Sequence, residues 1–221
     1  MKKGLTELVF ILDKSGSMGG LEADTIGGYN AMIEHQRRED GSCLMTTVLF
    51  DQSDTLLHDR IDIRAVRLIS DREYCVGGST ALLDAIGKTI HKMVNAQKHT
   101  TEDWQPEKVL FVIITDGEEN SSREYTLTQV RQMIEQMKRA GWEFIFLGAN
   151  IDAVETAGRF GIQAERAQDF HADSAGVSLN FQAMSETVSR YRQNDRLPDD
   201  WKQAIDQDFR GRGKKKDQSG Q

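Results

Sequence analysis

Three runs constrain the fold of this chain more than anything else in it: LVFIL (8–12), VLFVII (109–114) and FIFL (144–147). Each is apolar at every position and rich in Val, Ile and Phe, the composition of strands buried on both faces. Each stops in a polar or glycine-containing loop and gives way to a helical pattern. After the second run, Leu127, Val130, Ile134 and Met137 share a helical face, Thr126 and Gln129 are spaced as a capping box, and Gly141 supplies the stop. Leu82, Ile86, Ile90, Met93 and Val94 mark a second amphipathic helix, and Val177, Phe181, Met184, Val188 and Tyr191 a third. Strands alternating with helices need right-handed crossovers, which predicts a doubly wound α/β fold with a mainly parallel sheet and helices on both faces.

One segment departs from that rhythm. MTTVLFDQSDTLLHDRIDI (45–63) holds two strand-like runs separated only by DQSD, too short for a crossover helix, so the pair reads as an antiparallel hairpin at one side of the sheet. Its second run alternates through Leu57, Asp59, Ile61 and Ile63, as a half-solvated edge strand does.

The length of 221 residues fits one domain that needs no disulfide or metal as a staple. From Arg210 onward, RGRGKKKDQSGQ has no apolar residue, which predicts one domain over 1–209 and a flexible basic tail over 210–221. A net charge of -7 argues against nucleic acid as the main partner, because phosphate contacts supply most of that affinity. Cys43 and Cys75, the only cysteines, are expected to be reduced thiols. Leu8 to Leu12 is too short for a signal-peptide core, and no segment approaches the length that spans a membrane. These features predict a soluble, cytoplasmic protein.

The first buried run ends in an unusual way. In FILDKSGSMGG (10–20) the oxygen-bearing side chains Asp13, Ser15 and Ser17 follow at every second position among glycines. Asp116 stands directly after the second run, in IITDGEEN, and Thr80 opens the helix that follows VGGST (76–80). Open α/β sheets bind ligands beyond the carboxyl ends of their strands, so three distant segments deliver two carboxylates and several hydroxyls to one rim. Every donor is oxygen, as a hard divalent cation such as Mg2+ or Mn2+ requires, and the lack of Cys and His disfavours zinc. Glycines 16, 19, 77, 78 and 117 allow tight turns around a small ion. Taken singly, the same residues suit ordinary helix caps and turns.

DKSGSM, Thr80 in GGSTALLDAI and Asp116 in VIITDGEEN together resemble the DxSxS, Thr and Asp elements of the metal-ion-dependent adhesion site of von Willebrand factor A domains. The resemblance spans about residues 5 to 192 and rests on three separated motifs in order. It implies a six-stranded Rossmann-like sheet in which Ser15, Ser17 and Thr80 touch Mg2+ or Mn2+ while Asp13 and Asp116 act largely through waters. It further implies a stand-alone intracellular module of prokaryotic type that binds an exposed Asp or Glu of a partner protein and performs no turnover, with an ATPase or a multi-protein assembly as the kind of partner. Ser79 beside Thr80 is the alternative third-loop ligand; the helix pattern favours Thr80.

Competing readings use the same rim. SGSMG (15–19) differs from the hydrolase elbow GxSxG at one position, and Ser17, Asp116 and His171 follow in the chain order of that triad. A metal-independent scaffold is a further alternative. An aspartyl-phosphate phosphatase would need a carboxylic acid where this chain has Ser15, and no Walker A or GxGxxG motif is present. Glu118 and Glu119 read as a solvated pair, Asp152 with Glu155 as a helix cap beside Asn150, and His171 as a loop residue.

Overall fold

The computed structural model describes residues 1–194 and 196–218. The three apolar runs become the central strands β1 (Lys2–Asp13), β4 (Pro106–Thr115) and β5 (Glu143–Gly148). With β2 (Ser42–Phe50), β3 (Asp54–Asp62) and β6 (Ala167–Asp169) they form a six-stranded sheet in the order β3-β2-β1-β4-β5-β6. Every neighbouring pair is parallel except β2 with β3, which is the expected hairpin. The expected alternation ends one residue early: β3 stops at Asp62, and Ile63 turns inward in the short helical turn that follows.

Helices cover both faces, as a parallel sheet demands. Leu8, Phe10 and Leu12 of β1 pack toward α1 (Glu22–Gln36) and α5 (Ser174–Gln193), in a cluster with Tyr29, Ile33, Phe181 and Met184. The alternate residues Val9 and Ile11 meet α2 (Leu82–Lys98) and α3 (Leu127–Arg139) through Leu82, Ile86, Ile90, Val130 and Ile134, and α4 (Ala153–Arg159) lies on the same side. At about 1.5–3 kcal/mol for each large apolar side chain removed from water, these two layers supply the main driving force for the fold. The Thr126–Gln129 capping box forms as its spacing predicts, and Asp152 accepts from the Glu155 amide at the start of α4.

The sequence pattern does not trace the helix expected after the first run residue by residue, and it does not predict a further helix near the end of the described chain. α1 carries Gly27 and Gly28 at its centre and only a weak apolar stripe; a Cβ on Gly28 would stand 2.4 Å from the Phe181 ring, so glycine here lets α1 and α5 approach closely. α6 (Gln203–Gln218) begins beyond Trp201, buries Ile205, and continues through the point where a tail was expected to start. Its more exposed part is braced by charge pairs: Arg210 with Asp206, Arg212 with Asp208, and Arg212 with Asp173 at the start of α5. Residues 219–221 of that expected tail lie outside the described residues. Among the described residues no helix is long and apolar enough to cross a membrane. Cys43 is buried, Cys75 is exposed, and both are free thiols.

Candidate metal centre

The strand order reverses between β1 and β4: the chain leaves β1 outward through β2 and β3, then returns to β4 on the other side. Leu12 pairs with Ile114 in that register, so Asp13 and Thr115 close the two strands side by side and Asp116 follows at once. Both predicted carboxylates therefore stand at the switch point, where a parallel sheet leaves a crevice.

Asp13 is 1% exposed and held from both sides: Oδ1 accepts the Ser15 amide at 2.7 Å and Oδ2 the Thr115 hydroxyl at 2.6 Å. The buried Tyr74 hydroxyl donates to its carbonyl. The chain then turns back over the strand end, and the two serines of the motif come together, Ser15 Oγ lying 3.1 Å from Ser17 Oγ. Ser17 Oγ in turn donates to Asp116 Oδ1 at 2.5 Å, which joins the first loop to the fourth. Asp116 Oδ2 is the one buried carboxylate oxygen among the described residues that has no hydrogen-bond partner.

Thr80 completes the group. A Cβ on Gly117 would lie 3.1 Å from Ser17 Oγ and 3.5 Å from Thr80 Oγ1, so both hydroxyls crowd the same side of that glycine and a side chain there would fill the space between them. Thr80 is 3% exposed, whereas Ser79 faces the neighbouring polar cleft with Gln52, Asp54 and Lys88. The structure thus brings Asp13, Ser15, Ser17, Thr80 and Asp116 to one place, and Thr80 rather than Ser79 stands beside the cluster.

Electrostatics single out Asp116. Burial, reinforced by the negative charge of Asp13, pushes its carboxyl up to about 6 despite the Ser17 hydrogen bond. Burial also raises Asp13, opposed by its bonds from Ser15 and Thr115. A carboxylate that resists ionisation and keeps one oxygen unpartnered lacks a counter-charge, and a divalent cation supplies one. The donor set fits such an ion: two carboxylates and three hydroxyls, all hard oxygens, around a notch that only glycine leaves open. No three His, Cys, Asp or Glu side chains converge among the described residues, so the site is poor in formal charge and depends on hydroxyls.

No protein-family model and no curated protein matches this sequence. Solved structures do. The vWF domain of the type V pili tip protein Mfa5 from Porphyromonas gingivalis superposes with a TM-score of 0.61 at 11% identity, over 88% of this chain and 98% of that one. The fold is that of a von Willebrand factor A domain. Manganese-loaded TRAP from Plasmodium vivax follows it with a TM-score of 0.55 at 17% identity, over 81% of this chain and 72% of that one. Proximal thread matrix protein 1 from the mussel byssus, solved with a zinc-occupied MIDAS motif, gives 0.55 at 13% identity over 83% of this chain. The present chain spans only 46% of the length of that mussel protein.

Within this von Willebrand factor A fold the remaining rim residues take up other tasks. His171 Nε2 contacts the Phe209 carbonyl, and its ring packs on Phe209 of α6, while Ser17 bonds Asp116 directly. The Ser17–His171–Asp116 relay of a hydrolase is therefore not assembled. Glu118 is exposed as expected, but Glu119 is not part of a solvated pair: it turns inward and caps α2 through the Leu83 amide. Sequence reasoning also passed over Thr115, Tyr74, Asn120 and Asp84. A polar residue closing a wholly apolar run, as Thr115 does after VLFVII, was the available signal for the first of these; the others act through contacts between distant segments that no local pattern reveals.

Proposed function

We propose that this chain is a divalent-metal-dependent protein-binding module, an adaptor that uses Mg2+ or Mn2+ at the rim to take up an acidic residue of a partner protein. The observation that carries the reading is the unpartnered, charge-resisting Asp116 oxygen set among the hydroxyls of Ser15, Ser17 and Thr80 at the switch point. A zinc-occupied MIDAS motif in the mussel neighbour, and manganese loading of the Plasmodium neighbour, support a divalent cation for this fold. The serine and threonine hydroxyls would hold the ion, with Asp13 and Asp116 balancing its charge. Because hydroxyls neutralise none of that charge, the ion would remain electrophilic toward a partner's carboxylate.

The chain's own residues prepare the site. Thr115 and Ser15 hold the Asp13 carboxylate in one orientation, and Asp116 anchors Ser17. On this reading the protein is not an enzyme, acts in the cytoplasm, and serves an ATPase or another multi-protein assembly. Water-proton relaxation of the Mn2+-loaded protein tests it. N-acetylglutamate should lower the relaxivity by displacing metal-bound water, N-acetylglutamine should not, and Ser15→Ala should abolish the response. Equal responses to acid and amide would reject carboxylate capture.

A further inference from the structure

The loop that follows Asp116 and the helix that follows Thr80 cap each other reciprocally. An α-helix leaves its first N–H groups without intrahelical acceptors, and a side chain at the N-cap usually supplies one. The cap position of α2 is Ala81, which has none to offer. The acceptors come from the other loop: Glu119 Oε2 takes the Leu83 amide at 2.8 Å and Ser122 Oγ takes the Asp84 amide at 3.0 Å. In return Asp84, in the first turn of α2, accepts the amides of Arg123, Glu124 and Tyr125 at 2.8–2.9 Å.

Further bonds join the same two segments around Thr80. Asn120 Oδ1 accepts the Thr80 amide at 2.9 Å, and the Thr80 carbonyl accepts the amides of Asn120 and Ser121. Glu119 Oε1 gathers the Ser121 and Ser122 amides, which shapes the turn that presents these groups. Tyr125 packs against α2, where a Cβ on Gly87 would stand 2.4 Å from its ring. Asp84 is only 7% exposed and turns both oxygens to backbone amides, three in all, so its carboxylate is committed to the junction between the two segments.

We infer that Asp84 and Glu119 are positioning residues: they fix the Thr80 loop against the Asp116 loop and so set the spacing of two oxygen groups of the candidate metal site. The inference rests on the metal reading for its function and on the hydrogen bonds alone for its structure. Two consequences separate it from a general contribution to stability. Mg2+ demands a near-ideal octahedron whereas Ca2+ accepts variable geometry, so loosening the two loops should penalise Mg2+ more than Ca2+. Both carboxylates serve one junction, so their losses should not add.

The experiment is calorimetric titration of Mg2+ and Ca2+ into chelator-stripped protein, for the wild type, Asp84→Asn, Glu119→Gln and the double variant. Amide hydrogen exchange is followed on the same cation-free samples. Met137→Ala, a core truncation at the far end of α3, is the control for lost stability. Each single variant should lose about 10–100-fold in Mg2+ affinity, the range typical of residues that orient metal ligands, with a smaller loss for Ca2+. The double variant should be little worse than the worse single, and the control should bind as the wild type does. In the cation-free protein, exchange at Thr80 and across 117–122 should quicken at least about tenfold in either single variant and not in the control, the size of change that a lost charge-assisted cap produces. Unchanged exchange in both single variants overturns the inference, as does a Mg2+ loss no larger than that of Met137→Ala. If the wild type binds no cation, the metal reading fails, and the exchange data alone decide whether the two loops are coupled.

Discussion

At the amino-terminal end of the strands, Lys108 is buried with its ammonium donating to three carbonyls at the end of α5, those of Tyr191, Arg192 and Asn194, at 2.8–3.1 Å. Nearby Glu7, fully buried, accepts from Arg60 and Gln97. At the carboxyl-terminal end, Asp116 is just as buried but keeps one oxygen unpartnered and resists ionisation. The lower charges are satisfied by the fold itself, and their removal should cost stability. The upper carboxylate is satisfied only in part, by the Ser17 hydroxyl on Oδ1, and an unpartnered Oδ2 is what is expected of a group reserved for a ligand. Burial alone does not distinguish structural from functional charge; the state of the last lone pair does.

Replacing one residue at each end breaks the comparison most sharply. Lys108→Met should leave three carbonyls without a donor and lower unfolding free energy by about 3 kcal/mol or more, with Mn2+ affinity unchanged; denaturant unfolding beside titration reads both. Asp116→Asn should do the reverse. At pH 8 the cation-free variant should be about 1–2 kcal/mol more stable than the wild type, because it no longer buries a poorly compensated charge, while Mn2+ binding is lost.

The pH dependence sharpens the contrast. Asp116 holds its proton more tightly in the folded chain, up to about 6, than at the usual 3.8, so its contribution to cation-free stability is complete below about pH 4 and is lost as pH rises through 6. The stability difference between wild type and Asp116→Asn should therefore open by about 2–3 kcal/mol between pH 4 and pH 8, and saturating Mn2+ should close it for the wild type. Thermal unfolding across that range measures it. The smallest effect belongs to a cap that serves neither end: Thr126→Ala should cost about 1 kcal/mol through the capping box and leave the metal response and the pH dependence as they were.

Much of this was legible in the sequence because period and burial act locally. Runs such as VLFVII have no alternative to a doubly covered strand, and DQSD leaves no room for a crossover. Asp13, Ser15 and Ser17 announce themselves by spacing, and Asp116 by following a buried strand. What could not be read depends on contacts between distant segments. α1 buries few apolar side chains, Tyr29, Met32 and Ile33, beside a close approach of Phe181 to Gly28, and α6 buries Ile205 and carries charge pairs along its more exposed part, so neither carries a strong apolar stripe. Glu119 looked like a surface acid because the Leu83 amide that it accepts belongs to a helix 36 residues away in the chain. Asp84 was hidden for the same reason, since the three amides it accepts come from the loop after β4.

On the proposed function the free Asp116 oxygen is held for a divalent cation. Calorimetric titration of Mn2+ into chelator-stripped wild type and Asp116→Asn at pH 7.5 addresses it directly. One-to-one saturable binding in the wild type that disappears in the variant is the result expected of such a site. No binding in the wild type, or equal binding in both, would contradict it.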